Sequence, residues 1–483
     1  MVQNPQIPLV QMLRPWELQI SINYDCSKAV YLQIADAIIE AIKNGKLSGN
    51  DPLPGSRQLA ALLTVNRNTV IQALDLLLAE GWIVSEPRKG TFVNKKLPEW
   101  KGNRIVPTAF ATITDQRIPH IVFDDGVPDS RLAPMNELAR AYRQLFSRKS
   151  RWQMMSYSQE FGDQDFREAI RHMLNYKRDL KLSPDQLCIT RGSQMAMYLT
   201  AHSLLKPGDA VIVEDPGYKP AWKAFESAGA MLLPVAVDRD GLRIEAVAEC
   251  LGRFNNIKAV YTTPHHQFPT TVTMSLQRRL ELIELSTRYG FTIIEDDYDH
   301  EFHFEQRPIL PVSSYAHAAN FAYIGTLSKI VAPALRIGFL AGSGEFISRA
   351  AALRKIIDVQ GDNIMEQAVL QLINEGEIRR HLRRTTALYR KKRDFFDALL
   401  HKFLDGKATW QKPEGGLAFW VVPEKPVNPE QISAKLLEQG ILLQPPSQFS
   451  FGAPAQGFRL GYASLSETQL EEGIVKFAAA LTD

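Results

Sequence analysis

The chain has 483 residues, of which 45% are hydrophobic and 23% are charged, and this composition excludes a disordered or fibrous protein. Its 56 basic and 53 acidic residues give a net charge of only +3, which excludes a globally basic coat for nucleic acid. The length predicts two or three domains. Three scattered cysteines without a Cys-x-x-Cys pair argue against a disulfide framework and against a structural zinc site.

The first residues carry no signal for export or membrane insertion. The N-terminal stretch MVQNPQIPLVQMLRPW lacks a basic segment followed by an apolar core. No uninterrupted apolar run approaches the roughly 18 residues that a membrane helix needs. We therefore expect a cytoplasmic protein without a membrane partner.

Hydrophobic patterns divide the chain into three zones. Residues 14–95 show helical periodicity and end in a strand-like stretch, whereas residues 96–119 show no periodicity and are predicted to be a linker. Residues 120–483 alternate short β-branched runs with amphipathic helices. This alternation predicts an α/β domain with a mainly parallel sheet.

The first zone is predicted to contain three helices. Apolar residues at three- and four-residue spacing predict a helix over residues 29–44, and a second, shorter helix begins near Ser56. A tight break at residues 64–66 separates it from a third helix over residues 67–80, for which Asn66 is a good N-cap. Two short helices around a three-residue turn form a helix-turn-helix.

The start of the third helix carries side chains that suit base edges and phosphates, and this end of a recognition helix reaches the major groove. Two strand-like runs around a basic turn then predict a wing that contacts the DNA backbone or minor groove. The alternative is a structural three-helix subdomain with a charged surface. The predicted DNA-binding residues are Arg57, Asn66, Arg67, Asn68, Thr69, Gln72, Arg88, Lys89 and Gly90.

Residues 53–93, LPGSRQLAALLTVNRNTVIQALDLLLAEGWIVSEPRKGTFV, resemble the winged helix of the GntR family without a gap. The resemblance implies a double-stranded DNA operator as partner. Thr64 and Asn66 stand where glycine and serine are usual, and Lys89 stands near a common wing glycine. Threonine adopts a left-handed turn less readily than glycine. These departures bear on which operator sequence is bound and not on the class of DNA-binding domain.

The clearest chemical cluster of the third zone surrounds Lys329. The segment Gly325-Thr326-Leu327-Ser328-Lys329 is followed seven residues later by Arg336. A lysine after a small-residue turn can form a Schiff base with an aldehyde. Thr326 and Ser328 can donate hydrogen bonds to a phosphate, and Arg336 can pair with it bidentately. These neighbours favour a ligand-binding lysine, although a lone lysine is usually a solvated surface group.

Other polar groups follow predicted strands. Asp296 and Tyr298 end the apolar run IIEDDY, at the sheet edge where α/β folds bind ligands. An aspartate beneath a pyridinium nitrogen keeps it protonated, and a tyrosine can bond the ring oxygen; a metal or helix-capping role is the alternative for the acids. The turn Gly192-Ser193-Gln194 offers backbone N–H groups to a phosphate. Tyr218, after Asp215-Pro216-Gly217, could stack on a flat ring.

Together these residues resemble fold-type I, class I and II aminotransferases, whose motifs occur in the same order. The resemblance implies pyridoxal 5'-phosphate as cofactor and the fold of that family, with a smaller C-terminal α/β subdomain over about residues 350–483. It implies Lys329 as the catalytic Schiff-base lysine and Arg459 as the group that holds a substrate or effector carboxylate. The cofactor-binding residues that it implies are Ser193, Gln194, Tyr218, Asp296, Tyr298, Thr326, Ser328 and Arg336.

One departure concerns the asparagine that contacts the cofactor ring. Where the aminotransferases have Asn-Pro-x-Gly, this chain has His265-His266-Gln267-Phe268-Pro269, and either Gln267 or His266 could replace the asparagine. The two adjacent histidines have no third metal ligand nearby in the sequence. We therefore predict no metal site.

A GntR winged helix, a linker and an aminotransferase domain in one chain resemble the MocR-type regulators, of which GabR-like proteins are members. The resemblance implies a homodimer that regulates transcription. The resemblance further implies that an amino compound displaces the lysine to give an external aldimine, and that the winged helices are then repositioned on DNA because the compound binds one arrangement better. Two alternatives stay open: a working aminotransferase with an accessory DNA-binding domain, and a sensor of pyridoxal phosphate itself.

Overall fold

The computed structural model describes residues 20–24, 26–97, 119–147, 152–304, 309–315 and 320–482. The chain forms two compact units, Met1–Thr114 and Asp115–Asp483. Most of the predicted linker, residues 96–119, lies outside the described residues, as do residues 14–19 of the predicted first zone. Within the described part of the chain, no helix is both long enough and apolar enough to cross a membrane.

The N-terminal unit combines three helices with a small antiparallel sheet, in the strand order β1-β3-β2. Its apolar side chains form one core in which Ile38, Leu59, Val70 and Leu77 are fully buried. The predicted winged helix-turn-helix is therefore confirmed. Its elements are α1 (Val30–Lys43), β1 (Pro52–Leu53), α2 (Ser56–Leu63), α3 (Arg67–Ala79), β2 (Ile83–Glu86) and β3 (Gly90–Val93).

The turn between α2 and α3 is fixed by two residues. Thr64 ends α2 in the left-handed conformation, with φ +53°, although threonine adopts it less readily than glycine. Asn66 then caps α3, because its side-chain oxygen accepts a hydrogen bond from the backbone N–H of Asn68 at 2.9 Å. The cap satisfies one of the N–H groups that the first turn of a helix leaves free.

We expect Asn66→Ala to destabilise α3 by about 1 kcal/mol, because alanine cannot accept that hydrogen bond. The measurement is amide hydrogen exchange of α3 in the full chain, read by mass spectrometry. Asn66→Asp is the matched control, since aspartate retains an acceptor oxygen and should keep the protection. Equal protection in the alanine variant and in the unchanged chain would contradict the assignment of the cap.

The C-terminal unit is built on an eight-stranded sheet with the order β5-β12-β11-β10-β9-β6-β7-β8. Neighbouring strands run parallel from β11 to β7, while β12 runs antiparallel to both of its neighbours. The predicted α/β fold with a mainly parallel sheet is confirmed. Strand β4 (Ile121–Phe123) lies outside this sheet, whose strands are β5 (Leu187–Thr190), β6 (Ala210–Asp215), β7 (Met231–Asp238), β8 (Gly241–Leu242), β9 (Ile257–Thr262), β10 (Thr292–Asp297), β11 (Phe321–Thr326) and β12 (Gly338–Gly342).

Amphipathic helices cover this sheet and bury its β-branched strands, so that β6 and β12 are almost entirely inaccessible to solvent. A helix follows most of the strands, as expected where parallel strands need crossover connections. The helices are α4 (Met135–Ser147), α5 (Gln164–Arg178), α6 (Ser193–Leu204), α7 (Lys219–Ser227), α8 (Ile244–Arg253), α9 (Leu276–Tyr289), α10 (Gly344–Asp358) and α11 (Asn363–Asn374).

The last part of the chain forms a smaller layer with its own core, to which Phe396, Phe419 and Phe477 contribute. A three-stranded antiparallel sheet, β13-β14-β16, is its centre. Strand β15 pairs in parallel with β4, so a strand from the beginning of the C-terminal unit also belongs to this layer. Its elements are α12 (Glu377–Leu404), β13 (Ala408–Trp410), β14 (Ala418–Pro423), α13 (Pro429–Glu438), β15 (Ile441–Leu443), β16 (Phe458–Gly461) and α14 (Glu467–Ala480).

Candidate functional site

Lys329 follows β11 at the carboxyl edge of the large sheet, where parallel strands of an α/β fold present their ligand-binding loops. Its Nζ atom donates a hydrogen bond to the backbone oxygen of Gly126 at 3.2 Å and lies 4.4 Å from the centre of the Tyr298 ring. Burial lowers the pKa of the Lys329 ammonium, and the carboxylates of Asp299 and Asp125 partly oppose this shift. A lowered pKa supplies more of the neutral amine, which is the nucleophilic form.

Asp296 offers a buried carboxylate near this lysine. One of its oxygens accepts a hydrogen bond from the Tyr261 hydroxyl at 3.0 Å, while the other, Oδ1, is buried without a hydrogen-bond partner. Burial raises the pKa of Asp296 to about 7, although Lys329 favours its ionised form. A buried polar atom without a partner is costly. A protonated ring nitrogen of a bound ligand beside Asp296 would supply both the missing hydrogen bond and a compensating charge.

Two tyrosines lie around the same space. The hydroxyl of Tyr298 donates to the backbone oxygen of His266 at 2.9 Å. The ring of Tyr218 packs edge-on against Phe268, with ring centres 5.1 Å apart. Burial, reinforced by the nearby Asp296 carboxylate, raises the pKa of Tyr218 to about 12. The structure therefore brings Tyr218, Tyr298, Asp296 and Lys329 together.

Arg336 lies against the turn where β5 leads into α6, and its Nη2 donates a hydrogen bond to the backbone oxygen of Arg191 at 3.2 Å. Gly192 caps α6 with φ +79°, and a Cβ atom at this position would lie 2.6 Å from Nη2 of Arg336. A Cβ atom at Gly338 would lie 2.6 Å from the carbonyl carbon of Gly192. Two glycines thus allow the guanidinium of Arg336 to lie against the first turn of α6. Free backbone N–H groups and an exposed arginine suit a phosphate.

Three other predicted phosphate ligands have protein partners. The hydroxyls of Thr326 and Ser328 donate to the backbone oxygen of Ile337 at 3.0 and 3.3 Å. The side-chain amide of Gln194 donates to the backbone oxygen of Pro220 at 3.0 Å. These bonds connect the loop after β11 to the start of β12, and α6 to α7. A phosphate role for these side chains therefore stays a prediction.

Arg459, on β16, is 2% exposed and reaches the same site. Its guanidinium donates to the backbone oxygens of Pro269 at 2.7 Å and of Asp125 at 3.1 and 3.2 Å, and lies 4.6 Å from the centre of the Phe268 ring. Among the described residues, none of its hydrogen-bond partners is a carboxylate. A buried guanidinium that contacts carbonyls and an aromatic face is suited to bind an incoming carboxylate.

Neither predicted replacement for the ring asparagine is without other partners. The Gln267 amide nitrogen donates to Glu214 and to the backbone oxygens of Pro216 and Phe268. His266 Nδ1 lies 2.7 Å from Asp299 Oδ1. The side chain that contacts Tyr218 and Arg459 is instead the apolar ring of Phe268.

The segment that follows β4 was not among the site residues predicted from the sequence. Gly126 accepts the hydrogen bond from Lys329, and the backbone of Asp125 accepts those from Arg459. Burial raises the pKa of the Asp125 carboxyl, against the opposing charges of Arg459 and Lys329. The signal was present, because the acidic pair Asp124-Asp125 and a glycine follow a short apolar strand.

In the N-terminal unit, the predicted DNA-binding side chains lie on α2, on the start of α3 and on the wing. Arg57, Arg67, Asn68 and Gln72 are exposed, and Thr69 is half-buried. Arg67 donates only a long hydrogen bond, 3.4 Å, to the hydroxyl of Ser56. The wing turn contains Arg88 with φ +63°, Gly90 with φ +121°, and Lys89, which pairs with Glu86 at 3.0 Å. These exposed cations and amides are chemically suited to phosphates and base edges.

Both units match known protein families. Residues 30–93 match the bacterial regulatory proteins of the gntR family. The chain is 29% identical over 478 residues to the probable rhizopine catabolism regulatory protein MocR of Rhizobium meliloti, covering 94% of each chain. It is 28% identical over 472 residues to the HTH-type transcriptional regulator TauR of Rhodobacter capsulatus, covering 93% of this chain and 96% of that protein.

The larger unit also resembles enzymes. The crystal structure of an archaeal alanine:glyoxylate aminotransferase superposes with a TM-score of 0.71 at 27% identity, covering 75% of this chain and 90% of that one. Residues 121–477 match the family described as aminotransferase class I and II. The chain therefore belongs to the aminotransferase class I and II family, and it carries a gntR-type helix-turn-helix domain at its N-terminal end.

Proposed function

We propose that this protein is a cytoplasmic transcriptional regulator that binds an operator through its winged helix and senses an amino compound through pyridoxal 5'-phosphate on Lys329. The observation that carries the proposal is the convergence of Lys329, Asp296, Arg336 and Arg459 on one site of a chain that also contains a DNA-binding domain. Relatives that align with nearly the whole chain are named as regulators of transcription.

The site residues fit this cofactor. Pyridoxal 5'-phosphate supplies an aldehyde that amines bind covalently and a ring that withdraws electrons. Asp296 would hold the proton on the ring nitrogen with its unpartnered Oδ1. Arg336 and the first turn of α6 would bind the phosphate, and Tyr218 would pack on the ring. One bound cofactor would therefore give a partner both to the buried carboxylate of Asp296 and to the exposed guanidinium of Arg336.

The same residues explain how an amino compound would be recognised. Arg459 would bind its carboxylate, and the lowered pKa of Lys329 would favour the neutral amine form of the lysine. An amino compound shifts DNA binding only if it binds one arrangement of the protein better than another. Titrating the cofactor-loaded chain with a panel of amines, while following visible absorbance and DNA affinity together, tests this coupling.

We expect Arg67→Ala to weaken binding to DNA selected from a random pool by about 1–3 kcal/mol, because an arginine on the first turn of α3 is placed to contact a base edge. The measurement is fluorescence anisotropy at fixed salt. The matched control is Arg239→Ala, which removes a side chain that is 92% exposed in the other unit. Equal affinity of the Arg67 variant and the unchanged chain would exclude Arg67 from the interface.

A second candidate function, catalytic transamination, is favoured by the presence of Arg459 and by the likeness to aminotransferases. The chain is 26% identical over 363 residues to aromatic-amino-acid aminotransferase 1 of Thermococcus litoralis. Multiple turnovers of amino and keto acids at ordinary enzyme rates, without retention of specific DNA, would favour this function. A change in DNA affinity caused by free pyridoxal phosphate alone would favour a sensor of the cofactor itself.

We further propose that the protein is a homodimer, as aminotransferase-like folds typically are. Exposed apolar side chains at Met155 and Tyr157, 64% and 89% accessible, support a covering partner. Light scattering of the purified chain tests this, and a single-chain mass would contradict it.

A further inference from the structure

Four histidines gather beside the cofactor site, at the carboxyl ends of two neighbouring parallel strands. His265 and His266 follow β9, and His300 and His303 follow β10. The rings of His265 and His300 have centres 4.6 Å apart, and those of His265 and His303 are 4.5 Å apart. No metal site was predicted from the sequence, because no third ligand lies near His265 and His266 along the chain. The fold supplies that third residue from the loop of the adjacent strand.

One nitrogen from each of His265, His266 and His303 lies within 4.8 Å of the others. Nε2 of His265 and Nε2 of His303 are 2.5 Å apart. Tetrahedral zinc, with Zn–N bonds of about 2.0–2.1 Å, places ligand nitrogens roughly 3.3 Å apart. The two rings therefore need to separate by less than about 1 Å to bind one ion.

A further observation points to a ligand. His265 and His266 are each 3% exposed, so both rings are buried. Nδ1 of His266 lies 2.7 Å from the buried carboxylate of Asp299, an arrangement that leaves Nε2 as the coordinating nitrogen. A carboxylate behind a histidine is the usual support of a metal-bound imidazole, because it fixes the tautomer and the ring orientation.

A second group in the same cluster, formed by His265, Asp297 and His300, is less suited to a metal ion. Oδ2 of Asp297 already lies 2.9 Å from His300 and 3.5 Å from the guanidinium of Arg178. Displacing it would leave the charge of Arg178, which is almost fully buried, with one partner fewer.

An ion would approach the cluster on the side of His303, which lines a cavity of about 960 Å³ together with His300 and with residues of α12 that include Arg383 and Arg390. A water molecule from this cavity can complete four-coordination, as in sites with three protein ligands.

We propose that His265, His266 and His303 bind a divalent transition-metal ion of the zinc type. Three imidazoles favour zinc, copper or nickel over magnesium and calcium, which prefer oxygen ligands. The site is distinct from the lysine and phosphate residues. It adjoins them through the backbone oxygen of His266, which accepts the Tyr298 hydrogen bond, and through Asp299, whose carboxylate lies beside His266 and also acts on the charge of Lys329.

The test is calorimetric titration of the full cofactor-loaded chain with zinc chloride, and absorption spectroscopy with cobalt chloride. We expect one zinc ion per chain and cobalt bands in the visible range. His303→Gln should weaken zinc binding at least tenfold. The matched control, His401→Gln, removes an exposed histidine on α12 and should leave the affinity unchanged.

Replacement by another zinc ligand separates a coordinating role from a structural one. His303→Cys should restore tight binding and add a thiolate band to the cobalt spectrum, whereas His303→Gln should do neither. Binding that is equal in the unchanged chain and in the His303→Gln variant, or the absence of binding to a correctly folded unchanged chain, would overturn the proposal. Retention of the cofactor absorbance by the variants would show that the cofactor site is unaffected.

Discussion

Lys329→Ala is expected to abolish the visible absorbance of the cofactor-loaded protein and to change the response of its DNA binding to amino compounds, because these compounds no longer compete with the lysine. The amine of Lys329 contacts Gly126 and the ring of Tyr298, and burial lowers its pKa. Alanine removes the amine that is placed in this site to form a bond to an aldehyde. The measurement is an absorbance spectrum of the dialysed, cofactor-loaded variant, followed by anisotropy titration with DNA.

The matched control is Lys258→Ala, which removes an exposed lysine on β9 and should leave spectrum and response intact. Added methylamine should restore the visible band of the Lys329→Ala variant, because the pocket that holds phosphate and ring is unchanged. An unaltered spectrum of the variant without added amine would refute the assignment of the lysine.

Arg459→Ala is expected to weaken the binding of amino acids by about 3 kcal/mol, roughly 100-fold, because two charge-assisted hydrogen bonds to the carboxylate are lost. Arg459→Lys should recover only part of this, since an ammonium cannot bind a carboxylate with the two-pronged geometry of a guanidinium. The measurement is a spectral titration with alanine and with ethylamine, which lacks the carboxylate.

Ethylamine separates recognition from structural damage. Arg459 also donates hydrogen bonds to the backbone oxygens of Asp125 and Pro269, so its loss could disturb the pocket itself. If the carboxylate is its ligand, the affinity for ethylamine stays within a few-fold of the unchanged chain. Equal losses for alanine and ethylamine would contradict this role.

The fold was predictable where local signals and periodicity agree. The third helix was expected to begin after an asparagine cap, and the side chain of Asn66 does cap it. Lys329 and Asp296 were assigned to one cofactor site by their resemblance to aminotransferase motifs, and the parallel strands β10 and β11 bring them to one edge of the sheet. The order of the motifs therefore predicted residues that the sheet brings together.

The remaining parts of the site depend on contacts between distant segments. Gly126 reaches Lys329 across more than 200 residues of sequence, and His303 meets His265 from a different loop. Phe268 contacts Tyr218 and Arg459. The side chain of its neighbour Gln267 instead donates a hydrogen bond to the carboxylate of Glu214. No sequence periodicity encodes which of two neighbouring side chains faces a pocket.

The hydrogen-bond partners of hydroxyl groups also could not be predicted from the sequence. Thr326 and Ser328 have the chemistry to bind a phosphate, yet both donate to the backbone oxygen of Ile337. A residue type states what a side chain can bind, and tertiary structure decides which partner it has.

Reduction of the cofactor-loaded protein with borohydride, followed by proteolysis and mass spectrometry, tests the central claim most directly. We predict that the peptide containing Lys329 carries the added mass of the reduced cofactor. A tag on any other lysine, or no tag on a protein that retains the cofactor, would contradict the account.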